Sequence, residues 1–134
     1  MATNIMNTGD NFGGGIIFSV DSTGLHGLIA AKADMPGHSG GEDTGTFTWG
    51  DAMAACQNLA SGGYSDWFLP DKEQLHQLYL KKSVVGGFPA AGIVHYWSSS
   101  EVSEEGAWCG YFHDGDQSMD LKSNAMRVRA VRAF

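Results

Sequence analysis

Asp66-Trp67-Phe68-Leu69-Pro70-Asp71, near the middle of a 134-residue chain, is the stretch from which the fold can be read. Trp67, Phe68 and Leu69 are the densest block of apolar area in the sequence, and segments of helical period lie on both sides. Pro70 lacks an N–H and has a fixed φ, so the chain leaves one element and enters another there. Asp71 is a good N-cap, and Gln74 stands three residues on to complete a capping box. An apolar turn led by Trp and feeding a capped helix seats the helices of a small α+β domain on its sheet. The stretch therefore reads as core rather than as a binding loop.

Length and composition agree with one domain that has a core of its own. The chain is 43% hydrophobic with 4 Trp, 7 Phe and 4 Tyr, a globular rather than disordered composition. Nineteen glycines predict many tight turns and much irregular loop. A net charge of −7 argues against non-specific nucleic-acid binding, which needs a basic field. No stretch approaches the roughly 20 apolar residues of a membrane span. Residues 1–7 carry neither a basic nor an apolar signal-peptide region, which fits a cytoplasmic protein or a piece of a longer secreted chain. Cys56 and Cys109 are too few for a disulfide framework. They form one bridge if the parent is exported, and otherwise are small buried hydrophobes.

In chain order, residues 1 to about 12 read as a flexible leader ahead of a single domain over 13–134. Residues 16–20 and 25–30 are strands around the turn Asp21-Ser22-Thr23-Gly24, a β-hairpin. Residues 31 to about 47 are an acidic loop carrying Asp34, Glu42 and Asp43. A first helix, N-capped by Thr48, runs from 49 to about 60, with Ala52, Cys56 and Leu59 on its apolar face, until Gly62-Gly63 stops it. A second helix runs from 71 to about 82 with Leu75, Leu78 and Tyr79 inward, and Lys81 and Lys82 favoured by the dipole of its last turn. Residues 83–95 are loop, 96–101 a strand and 102–105 a charged turn. Residues 107–113, 116–122 and 126 to about 133 then form a three-stranded antiparallel meander. Strands at both ends with helices between them predict an α+β domain whose terminal strands pair.

Six blocks in this order carry a resemblance. They are Gly14-Gly15-Ile16-Ile17-Phe18, the run from Gly24 to Ala30, Trp49 with Ala52, the run from Gly63 to Pro70, Tyr96-Trp97-Ser98-Ser99-Ser100-Glu101, and Val128-Arg129-Ala130-Val131-Arg132. Together they resemble the C-terminal domain family of the Legionella collagen-like adhesin and its bacterial and phage relatives. The resemblance implies a C-type-lectin-like fold, a trimeric head on a collagen-like stalk, a secreted or cell-surface address and sulfated glycosaminoglycans as the ligand class. Many relatives carry Cys at the position of Ala130, placed to bridge the first-helix cysteine, here Cys56. Without it the family disulfide is in question, and whether Cys109 replaces it stays open. The calcium-dependent sugar motifs of animal lectins are absent, so lectin chemistry does not follow from the fold.

No catalytic constellation stands out, and a non-enzymatic domain without cofactor is expected. His26, His38, His76, His95 and His113 show no metal-ligand spacing. Ser98, Ser99 and Ser100 lack a nucleophile's context and read as hydroxyls that satisfy backbone groups. His113-Asp114-Gly115-Asp116 offers carboxylates to Ca²⁺ but too few oxygen ligands, so a tight turn is the simpler reading. The basic residues are more informative. Arg129 and Arg132 belong to the family motif and are expected to pair with core-edge carboxylates such as Glu101. Lys122, Arg127, Lys81 and Lys82 are free of that motif and are the candidate ligand-binding residues, against the alternative of a merely solvated face. A second expectation, a protein-binding display scaffold of the retroelement variable-protein type, rests on loop aromatics such as Trp108 and Tyr111.

Overall fold

The computed structural model of the chain describes residues 6–37, 45–89 and 92–134. The stretch at 66–71 joins the two halves of the fold. Trp67 is buried, with its indole N–H donating to the Ser61 carbonyl at 3.3 Å. Phe68 exchanges both backbone hydrogen bonds with Val131, at 2.8 and 2.9 Å. Leu69 and Pro70 are buried behind it. Asp71 then caps helix α2 (Lys72–Leu80): its carboxylate accepts from the Gln74 N–H at 2.7 Å, while the Gln74 side chain accepts from the Asp71 N–H at 2.9 Å. Reciprocal capping of this kind satisfies two donors that a helix start otherwise leaves orphaned.

Two antiparallel sheets flank this junction. The first has the order β1 (Asn11–Phe12), β2 (Gly15–Val20), β3 (Gly27–Ala30) and β7 (Val131–Ala133). The second is β4 (His95–Glu101), β5 (Gly106–Tyr111) and β6 (Gln117–Leu121). Helix α1 (Trp49–Gln57) lies against β4, and α2 lies against β2, β4 and β5, with the short α3 (Lys82–Val85) following it. This is an α+β domain with paired terminal strands, since β3 takes β7 as neighbour through Leu28↔Ala133 and Ala30↔Val131.

The expected meander needs correction. Its first two strands are β5 and β6, but β4, not the last strand, is their third member. Residues 126–133 do not continue as one strand. Met126 bridges Phe47, Arg127 bridges Tyr96 in parallel, and only from Val131 does the chain enter the other sheet. The leader also differs. Residues 1–5 and the acidic positions 42 and 43 lie outside the described residues, but Met6 N–H donates to Gly24 and Gly9 N–H to Ile17, and β1 pairs with β2. The second helix breaks at Lys81, whose φ of −108° and ψ of 14° separate α2 from α3. The first stops at Gln57, and the chain then folds back through Gly62, where φ is +62°. A Cβ there would stand 2.6 Å from the Gly14 Cα, so only glycine admits this approach.

The core is two clusters separated by the sheets. Ile17, Ile29, Trp97 and Cys109 face Ala52, Cys56 and Trp67. Their strand neighbours Phe18, Ala30 and Tyr96 face Leu75, Leu78 and Val85, together with Phe112 and Val131. Period-two alternation thus serves two interiors rather than one interior and solvent. Burial on both faces explains why β2 and β3 read as continuous apolar runs. The serine run behaves as expected: the Ser98 hydroxyl, fully buried, donates to the Trp108 carbonyl at 2.7 Å, and Ser100 Oγ accepts from the Lys72 N–H at 2.8 Å.

Candidate functional site

The basic residues of the C-terminal segment divide by what their charges meet. Arg129 is fully buried. Its Nε donates to Asp34 at 2.9 Å, and its remaining N–H groups reach the carbonyls of Ala31, Gly86 and Gly87 at 2.7–3.1 Å. The Tyr96 hydroxyl donates to the same carboxylate at 2.7 Å. Burial, with the Asp34 charge beside it, pushes the Tyr96 phenol far above its ordinary range. Arg132 grips Asp66 with Nε at 2.7 Å and Nη2 at 3.2 Å, donates to the Gly13 carbonyl and lies over the Tyr64 ring. The hydrogen bond from Arg132 holds the Asp66 carboxyl below the usual range. Both motif arginines therefore pair with carboxylates, but with Asp34 and Asp66. Glu101, the partner expected from the sequence, is taken by Lys122 at 2.7 Å.

The four candidate cations do not converge. Lys122 is tied to Glu101 and lies 4.3 Å above the Trp49 ring. Arg127 flanks the other end of β4, where its N–H donates to the His95 carbonyl at 3.0 Å. Those ends are six residue steps apart, about 20 Å along a strand. Lys82 gives its ammonium to the Phe112 carbonyl at 2.6 Å. Lys81 lines a cleft of about 510 Å³ whose other walls combine the polar Asn7, Thr8, Ser22 and Gln77 with the apolar Phe18 and Val20. Asp21 stands in the same cleft, its carboxyl lowered by the Thr23 hydroxyl.

Arg127 is only loosely paired. It is 38% exposed, and its contact with Asp34 is a long 3.5 Å. Asp34 is already matched by Arg129 at 2.8 Å, so two guanidiniums share one carboxylate and the surplus positive charge sits at Arg127. The side chain also walls a shallow cleft of about 240 Å³ with Ile93, His95 and Met126.

Beside this cleft is a group that the sequence reading scattered. His95 and Tyr111 are directly opposite on β4 and β5, and their rings stack at 4.2 Å. His113, two residues beyond Tyr111, stacks on the same tyrosine at 5.6 Å, and the two imidazoles lie 6.3 Å apart. Tyr111 is thus a strand residue beside two histidines, and Trp108, under the Lys72 ammonium at 3.6 Å, is also in a strand. The only hint in the sequence was the i, i+2 spacing of 111 and 113, because His95 joins them through the register of β4 on β5. The turn after Tyr111 is built as expected, with Asp114 accepting from the Asp116 N–H at 2.9 Å and Gly115 at φ +87°. Among the described residues no group of three or more His, Cys, Asp or Glu is placed to hold a metal ion. His38 lies outside them.

The two thiols are buried and unbridged. Burial pushes Cys56 up to about 12 and Cys109 up to about 11, so neither is a thiolate near neutrality. Among the described residues no helix is long and apolar enough to cross a membrane.

The domain thus has two antiparallel sheets, a buried Arg129–Asp34 pair and an Arg132–Asp66 pair whose carboxylate is exposed. The Lcl C-terminal domain family matches residues 22–132, and the chain belongs to that family, which points to an adhesin-like domain. No curated protein sequence matches the chain.

Proposed function

We propose that this domain is a non-enzymatic recognition head of a bacterial adhesin or fibre, displayed outside the cell as part of a longer chain, that captures sulfated glycosaminoglycans as a homotrimer. The C-type-lectin-like fold that the resemblance implies belongs to the same reading, and the pairing of β3 with β7 supports it. The observation that carries the proposal is the charge imbalance at Arg127, a half-exposed guanidinium whose nearest carboxylate is already neutralised by Arg129. On a chain of net charge −7, capture of a polyanion has to come from such local surplus. Guanidinium contacts to sulfate are charge-assisted, and repetition over three copies turns a weak site into avidity.

The test is heparin binding over a range of salt, with the oligomer checked by light scattering. Arg127→Ala is expected to weaken binding about tenfold, on the order of one charge-assisted contact, and to flatten the salt dependence. Lys122→Ala should have the smaller effect, because Glu101 already holds that ammonium. Binding by Arg127→Ala equal to wild type at every salt concentration would remove the site.

A protein-binding display scaffold is the second reading. It is favoured by the exposed Met119 and Leu121 on β6, which border a cleft of about 280 Å³. Binding that survives high salt but is lost in Met119→Ser would select it.

A further inference from the structure

We infer that His95, Tyr111 and His113, together with Arg127, form an acid-gated anion site, so that the domain holds a sulfate or carboxylate group of its ligand more tightly as pH falls. The inference rests on the polyanion reading above and adds its regulation.

The geometry supplies the parts. Tyr111 touches both imidazoles, and the three ring centroids form a triangle of 4.2, 5.6 and 6.3 Å at one corner of the β4–β5 sheet. His95 also walls the Arg127 cleft, so an anion seated on the guanidinium lies within reach of that imidazole. His113 receives only a long 3.5 Å approach from the Val94 N–H at Nδ1, and its Nε2 is 3.5 Å from Asp114. Neither distance is a full hydrogen bond, so little is lost if the ring turns toward a ligand.

The charges around the group set the sign. Asp114 and Asp120 act on His95 from the turn and from β6. Asp34 faces Arg127 but is balanced by Arg129, and Lys82 meets the Phe112 carbonyl beside His113. With both imidazoles neutral, the carboxylates of Asp114 and Asp120 are matched by the Arg127 guanidinium and the Lys82 ammonium. With both protonated, the corner carries a surplus of positive charge. Burial, and then the charge of His113, lower the affinity of His95 for its proton. Two imidazolium rings 6.3 Å apart repel each other, and an anion placed between them and Arg127 relieves that repulsion. Proton and anion therefore favour each other's binding, by the same amount in either order.

The experiment measures heparin affinity at pH 7.5 and pH 5.5 at constant ionic strength. If anion binding raises one histidine's pKa by one unit, the wild type gains about fivefold at the lower pH. In His95→Gln/His113→Gln the ratio between the two pH values should fall to about one, whereas His26→Gln, in the β2–β3 loop, should keep the full ratio. NMR titration of the imidazoles with and without inorganic sulfate gives a second readout, with the pKa values of His95 and His113 rising together and His26 unmoved. Heparin bound equally at both pH values would overturn the gate and leave the polyanion reading standing. A full acid gain retained by the double variant would also overturn it. Failure to bind heparin at either pH, with sulfate still raising both pKa values, would instead remove the polymer as ligand and keep the anion site. Sulfate without effect on either imidazole would remove the site itself.

Discussion

Arg129 and Asp34 are 95 residues apart in sequence and 2.8 Å apart in space, and the guanidinium is wholly inside the protein. Desolvating both charges is repaid only because every face of the guanidinium is occupied: a carboxylate, three backbone carbonyls and the Phe88 ring 3.9 Å away. Arg129→Ala would leave Asp34 with the Tyr96 hydroxyl and the distant Arg127, and three carbonyls unpaired. The expected cost is about 3–5 kcal/mol, read as a fall in denaturant midpoint. Arg129→Lys should recover only part of it, since one ammonium cannot reach the same set of acceptors. A midpoint unchanged in Arg129→Ala would mean that the loop at 31–37 is not held from this side.

Trp67→Ala removes a buried indole from the cluster that contains Trp97 and Cys56. Truncation of this kind costs about 3–5 kcal/mol, much of a typical domain's total stability. The variant should melt far below wild type or fail to fold. Melting within a few degrees of wild type would show that Trp67 does not organise the core.

The thiols provide a third check. Cys56 and Cys109, raised to about 12 and about 11 by burial, should resist iodoacetamide at pH 8 in the folded protein and react fully in denaturant. Intact mass without reductant should equal that of the fully reduced chain. A loss of two hydrogens would show that a bridge forms between them.

What was legible in the sequence was local. Pro70, Asp71 and Gln74 announce the start of α2 because proline stereochemistry and a capping box act within five residues. The Ser98 and Ser100 roles and the Asp114-Gly115 turn were legible for the same reason. The path of residues 126–133 was not. Alternation there looks like one strand, yet Met126, Arg127 and Val131 pair with Phe47, Tyr96 and Phe68 in turn, and nothing in the segment itself encodes that change of partner. The candidate site suffered likewise. Cations clustered between 122 and 132 are dispersed by Glu101, Asp34 and Asp66, acids supplied from three distant segments. His95 reaches Tyr111 only through strand register, which a linear reading does not contain.

The pairing of β3 with β7 has an architectural consequence. Phe134 exchanges backbone hydrogen bonds with Gly27, and its ring meets Phe12 edge-on at 5.4 Å, so the chain's end beyond β7, one edge strand of the first sheet, touches β1, the other edge strand, through an aromatic contact. The histidine corner belongs to the other sheet, β4–β6. A load applied at Phe134 therefore enters the first sheet and passes to Phe12 through the ring contact, away from the strands that carry His95 and Tyr111.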